Sequence, residues 1–144
     1  MNDDQIDLVD WIHFEKSRSE LGTGFIRILN YFREDGAKSL TQIEAAMHEE
    51  NTAGLVLPAH TLKGEARQFG AEPLAAVAEV IEATARSGVE THRFPDELVA
   101  DVVKLRALFT ATVELFEKAT NPLVTRANQG AFGKKAANQS FGRI

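Results

Sequence analysis

A helical repeat of apolar residues constrains this chain more than any other feature of its sequence. From residue 25 to residue 47, apolar or small residues recur at steps of three or four, namely Phe25, Leu29, Phe32, Gly36, Leu40, Ile43 and Met47. This spacing matches the 3.6-residue turn of an α-helix with one apolar face. It predicts a single long helix over about residues 21–49.

Three further segments show the same period and predict three more helices. They cover about residues 52–69, 73–87 and 95–116. Asn51 or Thr52 can cap the first of these helices, and Pro73 suits the first position of the next. A shorter helix precedes the four and carries Ile6, Val9 and Ile12.

Pro58 lies inside the segment 52–69 and removes one backbone hydrogen bond from its helix. The residue four positions earlier is Gly54, which softens the steric part of the penalty and allows a local bend. The alternative is a helix that restarts near Pro58. The sequence leaves both interpretations open.

The pattern as a whole predicts an all-α fold. No segment shows the strict alternation of a half-buried strand, and the short connections between the helices favour antiparallel neighbours. With 144 residues, the chain has the size of one domain. We expect residues 1–118 to form an antiparallel up-down four-helix bundle with a short N-terminal capping helix.

The end of the chain differs from the rest in composition and charge. Beyond about Asn121 the helical period disappears and Gly, Asn, Gln, Ala and basic residues dominate, so residues 119–144 are predicted to be a tail outside the bundle. The formal net charge is −5; the tail carries +4 and no acid, so residues 1–118 carry −9. A body this acidic repels phosphate backbones, which argues against nucleic acid as a partner.

Other classes of protein are excluded by what the sequence lacks. Without cysteine, the chain has no disulfide scaffold, no thiol nucleophile and no thiolate zinc site. No window approaches about 18 consecutive apolar residues, and the N-terminus is acidic, so neither a membrane span nor a signal peptide is predicted. We therefore expect a cytoplasmic protein.

The most informative polar residues lie on the second predicted helix. His60, Gly64 and Arg67 follow one another at steps of four and three, and so share a line on its surface. A mid-helix glycine costs about 1 kcal/mol relative to alanine. One turn beyond His60, Gly64 leaves the imidazole open to the backbone of a partner. Lys63, beside the line, can supply positive charge to an anion carried on that imidazole.

These residues belong to a longer pattern. The run Ala59-His60-Thr61-Leu62-Lys63-Gly64 is followed by Phe69-Gly70-Ala71 and then Leu74. It resembles the signature of histidine-containing phosphotransfer (HPt) domains of bacterial two-component phosphorelays, with lysine and glycine three and four positions after the histidine and Gly-Ala at ten and eleven. The resemblance covers about residues 5–118 in helix order and length.

The resemblance implies a function for each matching residue. His60 would accept a phosphoryl group, Lys63 would assist that group, and Gly64 would give a response-regulator receiver domain room to approach. The residues implied to contact this partner are Arg67, Gln68 and Val56. Glu65 and Arg67 stand where family members often carry small residues.

The resemblance also implies partners and a place in a signalling chain. The protein would take phosphate from the aspartyl-phosphate of one receiver domain and pass it to another, in a phosphorelay that includes a sensor (hybrid) histidine kinase. The chain has no Gly-rich phosphate loop, Walker pattern or kinase signature, so we expect a carrier that does not use ATP and is not an enzyme by itself. We also expect it to be a monomer. No cofactor is expected on this chain, and Mg²⁺ would come with the receiver.

The remaining histidines, His13, His48 and His92, have no comparable neighbourhood. No pair of them has the i, i+4 spacing of a helical metal site. We expect no metal to be bound by this chain alone.

Three other interpretations stay open. The dimerisation helix of a sensor kinase also presents a phosphorylated histidine, but it resembles a different motif, with an acid directly after the histidine. The phosphoacceptor domain of a chemotaxis-type kinase uses a similar bundle, yet 144 residues leave no place for the kinase. The third is a bundle that binds receiver or kinase domains as an interaction or inhibitory protein while His60 stays unphosphorylated.

The hairpin between the second and third helices predicts a partner for His60. If two antiparallel helices join at Ala71, residues at equal distances from the join lie side by side, which places His60 opposite Glu82 and Lys63 near Glu79. Members of the HPt family often carry Gln or Glu at the position of Glu82. A carboxylate that accepts the proton of one ring nitrogen would orient the ring and raise the basicity of the other nitrogen. Glu82 is therefore predicted to orient His60, the alternative being a solvated surface glutamate.

Overall fold

A computed structural model describes residues 7–121 of the chain. Within that part it contains five α-helices and no strand. They are α1 (Trp11–Leu21), α2 (Phe25–His48), α3 (Thr52–Gln68), α4 (Glu72–Thr91) and α5 (Val99–Thr120), with short 3₁₀ turns at Gly22–Gly24 and Asp96–Leu98. None of the helices in the described part is long and apolar enough to cross a membrane.

The helices form the predicted all-α antiparallel bundle. Helices α2, α3, α4 and α5 up to Thr112 alternate in direction, and α1 packs against the end of α3 as the capping helix. The described chain divides into two compact units after Thr112, and α5 continues across the division. The bundle core and the candidate site described below belong to the first unit.

A chain of aromatic rings forms the centre of the core. Phe14, Phe25, Phe69, Phe32 and Phe109 follow one another with ring centroids 5.3 to 5.8 Å apart, in edge or tilted contacts. Such contacts stabilise a core beyond the area that they bury. They connect α1, α2 and α5 with the residue that follows α3.

Gly36 on α2 is required by this packing. A Cβ atom at position 36 would lie 2.5 Å from Cε1 of Phe109, so any larger residue would displace the ring. The glycine in the apolar repeat of α2 thus serves the close approach of α5.

The N-terminal helix differs from its prediction in position and in the face that it buries. Asp10 caps the backbone N–H groups of Ile12 and His13, so α1 begins at Trp11. This start turns Phe14 and Ser17 toward the core and leaves Ile12 85% exposed. Val9 is buried but precedes the helix, and Ile6 lies outside the described residues. The predicted short helix thus carries Ile12 but not Val9, so its predicted start was wrong.

Helix α4 continues past residue 87, where it was predicted to end. It runs to Thr91 and ends at His92, whose φ of 54° is left-handed. Gly88 lies inside the helix because the chain leaving α4 folds back over it: a Cβ atom there would lie 2.6 Å from the carbonyl oxygen of Arg93. Glycine at position 88 allows this close approach, and it does not end the helix.

Helix α3 is continuous through Pro58, so the alternative of a restart is wrong. Its N-cap is Asn51, whose side chain accepts a hydrogen bond of 3.0 Å from the N–H of Gly54. Helix α5 ends at Thr120. The first two residues of the predicted tail are thus helical, and residues 122–144 lie outside the described part.

A buried threonine on α5 gives a test of stability. Thr112 is fully buried, and its Oγ1 has no hydrogen-bond partner among the described residues. Thr112→Val should raise the free energy of unfolding by about 1 kcal/mol, because it replaces an unpaired hydroxyl with a methyl group of similar size. Urea unfolding measures the change, and Thr110→Val, exposed on the same helix, is the control. A less stable Thr112→Val protein would contradict the prediction.

Candidate functional site

His60 lies in the middle of α3 with its side chain 56% exposed. Its Nδ1 atom is 3.0 Å from Oε2 of Glu82 on α4. The antiparallel packing of α3 and α4 brings these two residues to the same level. The predicted contact between His60 and Glu82 is present in the structure.

Glu82 is a buried carboxylate, 6% exposed, that contacts three donor side chains. Its Oε1 forms an ion pair with Nζ of Lys63 at 2.7 Å. Its Oε2 accepts hydrogen bonds from Nε and Nη2 of Arg86 at 3.0 and 2.8 Å, and also faces His60. Burial alone would raise the pKa of Glu82, but the hydrogen bonds from Lys63, Arg86 and His60 outweigh it and lower this pKa to about 2.

The low pKa of Glu82 determines which nitrogen of His60 is available. Glu82 is ionised at neutral pH and can only accept hydrogen bonds, so Nδ1 of His60 donates its proton to the carboxylate. In the neutral imidazole, the other nitrogen, Nε2, then has the free lone pair. The arrangement orients an exposed nucleophile.

Lys63 and Arg67 do not have the partners that simple pairing across the hairpin predicts. Lys63 pairs with Glu82 and not with Glu79, while Nη2 of Arg67 lies 2.6 Å from Oε1 of Glu79. Arg67 also approaches Glu72 at 3.5 Å. Side chains on a helix lean toward its N-terminus, so each long cation reaches a level about one turn before its own Cα. Counting from the turn placed Lys63 near Glu79, but the ion pair of Lys63 is with Glu82.

Arg86 is a residue of this cluster that the sequence analysis missed. It lies four residues after Glu82 on α4 and bonds that carboxylate through two nitrogens. The i, i+4 spacing of Glu82 and Arg86 is the sequence signal that could have identified it. It became informative only once Glu82 was known to contact His60.

Gly64 is exposed, and a Cβ atom built on it meets no described atom within 4 Å. Unlike Gly36, it is not required by the packing of the described chain. The absence of a side chain therefore leaves open surface one turn beyond His60. The predicted use of Gly64, access for a partner, stays a prediction.

Gly64→Gln tests that use. The substitution should slow phosphotransfer from a receiver domain about tenfold, because the new side chain occupies the approach to His60. The free energy of unfolding should stay the same or rise slightly, since glutamine is the better helix former. Ala107→Gln, at an exposed site on α5, is the control. Full-rate transfer in Gly64→Gln would show that no partner approaches there.

The predicted contact residues lie far apart along α3. Val56 is half-buried near its start and Gln68 is exposed at its end, about 18 Å apart along the helix axis. The carbonyl oxygen of Gln68 accepts a hydrogen bond of 2.6 Å from Ser17 of α1 and lies 3.1 Å from a ring nitrogen of His13. The structure thus places these residues along one helix rather than in one compact patch.

Glu65, which departs from the family pattern, is half-buried beside Gly64. Burial, together with the nearby charge of Asp35, raises the pKa of Glu65. Its Oε1 has no hydrogen-bond partner among the described residues. Over residues 7–121, no group of three or more histidines and carboxylates could hold a metal ion.

The fold and the site define a class of protein: a helical bundle that presents an oriented histidine on one helix face. A family model for the Hpt domain matches residues 27–115, well over half of the chain. The chain belongs to the Hpt domain family. Its function is histidine phosphotransfer in a phosphorelay, and the receiver and kinase domains of such a relay are its interaction partners.

A solved structure has the same fold. The crystal structure of histidine-containing phosphotransfer protein B (HptB) from Pseudomonas aeruginosa PAO1 matches with a TM-score of 0.69 and 22% sequence identity, over 80% of this chain and 96% of that one. No curated protein matches the chain significantly. Family membership confirms the predicted phosphotransfer function and disfavours a bundle that never carries phosphate.

Proposed function

We propose that His60 is the phosphoacceptor of this chain. The observation that carries the proposal is the contact of Nδ1 with the ionised carboxylate of Glu82, which leaves Nε2 of an exposed ring free to attack. His60 takes the phosphoryl group from an aspartyl-phosphate of one receiver domain and passes it to an aspartate of another.

The chemistry needs positioning and charge neutralisation more than covalent machinery. A bond forms between Nε2 and phosphorus while the bond from phosphorus to the aspartate oxygen breaks, and the aspartate leaves as a carboxylate. The proton on Nδ1 stays on the ring, and Glu82 compensates the positive charge that the ring acquires. Lys63, whose Nζ lies at the same carboxylate, offers positive charge to the phosphoryl oxygens.

We further propose that the chain works as a carrier only. It contains no ATP-binding motif and uses no cofactor of its own, and Mg²⁺ is held by the receiver domain. Lys63 and Arg67 complement the acidic pocket of a receiver, with Val56 and Gln68 at the two ends of the contact. The protein acts as a monomer in the cytoplasm, where the receiver domains and the hybrid sensor kinase of the relay are found.

Transfer from phosphorylated receivers of the same cell tests the proposal. The protein is incubated with each receiver, the rates are ranked, and the modified residue is mapped by mass spectrometry. We expect an acid-labile, base-stable adduct on His60. An adduct on His13, His48 or His92, or no adduct from any receiver, would contradict the proposal.

A further inference from the structure

The N-terminal half of α3 is unusual in charge. Residues 51–62 contain no Asp, Glu, Lys or Arg, although such residues make up 26% of the chain. The exposed residues of this segment are Ala53, Leu57, His60 and Thr61, together with its N-cap Asn51. The half of α3 that leads to His60 therefore contributes no charged side chain of its own, within a body that carries a net negative charge.

Leu57 is the largest apolar group on this surface, and it is 70% exposed. It lies three residues before His60 and seven before Gly64, so all three share one face of α3. The step from Leu57 to His60 is about 4.5 Å along the helix axis. An exposed leucine thus stands directly beside the proposed phosphoacceptor.

Any receiver domain that reaches His60 must cover Leu57. Even a small, transient protein interface buries roughly 600 Å² on each partner, which corresponds to a patch about 14 Å in radius. A patch of this size centred on His60 extends well beyond one helical turn in each direction. The centres of such interfaces are poor in charged residues and rich in apolar anchors. The uncharged half of α3 fits that description.

We propose that Leu57 is an apolar anchor for the receiver domain, which covers it with an aliphatic or aromatic side chain next to its aspartate pocket. This proposal rests on the proposed function of His60. On the other side of His60 lie Lys63 and Arg67, each in an ion pair with a glutamate of α4. The docking surface thus has an apolar anchor at one end of α3 and paired charges at the other, and this difference fixes the direction in which the receiver lies along the helix.

The experiment compares two phosphoryl donors with the full-length protein. One is the receiver domain that transfers fastest to the wild type, and the other is phosphoramidate, a small donor that needs no docking surface. Leu57→Ala should lower kcat/KM for transfer from the receiver about tenfold, as expected for truncation of an interface anchor. Labelling by phosphoramidate should be unchanged, and Leu57→Met should restore most of the transfer rate.

Val103→Ala is the matched control, because Val103 is 67% exposed on α5, outside the proposed surface. Wild-type transfer rates in Leu57→Ala, or an equal loss in Val103→Ala, would overturn the docking proposal. Equal losses with both donors in Leu57→Ala would also overturn it, because they would indicate damage to His60 itself. A wild-type dimer that Leu57→Ala converts to a monomer would assign the surface to a second copy of the chain.

The same experiment separates this proposal from the function on which it rests. If phosphoramidate and every receiver fail to label His60 in the wild type, the proposed function fails and the docking proposal fails with it. If His60 is labelled normally and Leu57→Ala behaves as the wild type, only the docking proposal fails.

Discussion

Replacing His60 with glutamine is expected to abolish phosphorylation of the protein. Glutamine keeps the helix and can still hydrogen-bond to Glu82, but its amide is not a nucleophile toward phosphorus. Label transferred from a phosphorylated receiver should therefore fall by more than about a hundredfold, while far-UV circular dichroism and the urea midpoint stay close to those of the wild type. Radiolabelling followed by gel electrophoresis under alkaline conditions measures the effect.

His48→Gln is the matched control for this experiment. His48 is exposed at the end of α2, away from the cluster around Glu82, and its replacement should leave the label unchanged. Retention of acid-labile label in His60→Gln would show that another residue carries the phosphate.

Glu82→Gln is expected to have the second-largest effect, and it acts on both stability and transfer. The variant leaves the half-buried cation of Lys63 and the exposed cation of Arg86 beside a neutral amide at the buried position 82. The free energy of unfolding at pH 7 should fall by about 2 kcal/mol. Transfer to His60 should slow about tenfold, because the amide no longer compensates the charge on the imidazole as the phosphoryl group arrives.

The pH dependence of stability gives a distinct signature of the same carboxylate. The pKa of Glu82 is lowered from 4.5 to about 2 in the folded protein. Ionised Glu82 therefore stabilises the fold above about pH 4.5, and this contribution is lost as the pH falls toward 2. In Glu82→Gln the contribution is absent at every pH, so the loss of stability between pH 5 and pH 2 should be smaller than in the wild type.

Urea unfolding at several pH values measures this difference. Glu79→Gln is the control, because Glu79 pairs with Arg67 at an exposed site and such pairs contribute less than about 1 kcal/mol. Parallel stability curves for Glu82→Gln and the wild type would show that Glu82 does not stabilise the cluster, and unchanged transfer would show that it does not assist His60.

Much of the fold could be predicted because helical periodicity depends on burial of one face. The repeat from Phe25 to Met47 identified α2, and Asn51 was predicted as a cap before its contact with Gly54 was known. The errors arose where tertiary contacts override local signals. Gly88 has the sequence character of a helix end, but its role is to let the backbone of Arg93 pass close by.

The candidate site was predictable to the level of residue pairing but not of side-chain direction. Counting from the turn placed His60 opposite Glu82, because Cα positions in antiparallel helices follow from the register alone. Whether Lys63 pairs with Glu82 or with Glu79 depends on the direction in which its long side chain points along the helix axis. The exposure of Leu57 also depends on packing, since the sequence does not show which apolar residues of α3 the core leaves out.

The shared carboxylate has a consequence for the energetics of a relay. Lys63 and Arg86 are both engaged by Glu82, so either cation must give up an ion pair before it can clamp phosphoryl oxygens. That loss offsets much of the attraction that two cations would otherwise exert on a dianion. If His60 carries the phosphoryl group as proposed, we expect that group to be held loosely. Weak retention would keep the transfer step near reversibility, and the receivers rather than this protein would then set the direction of flow.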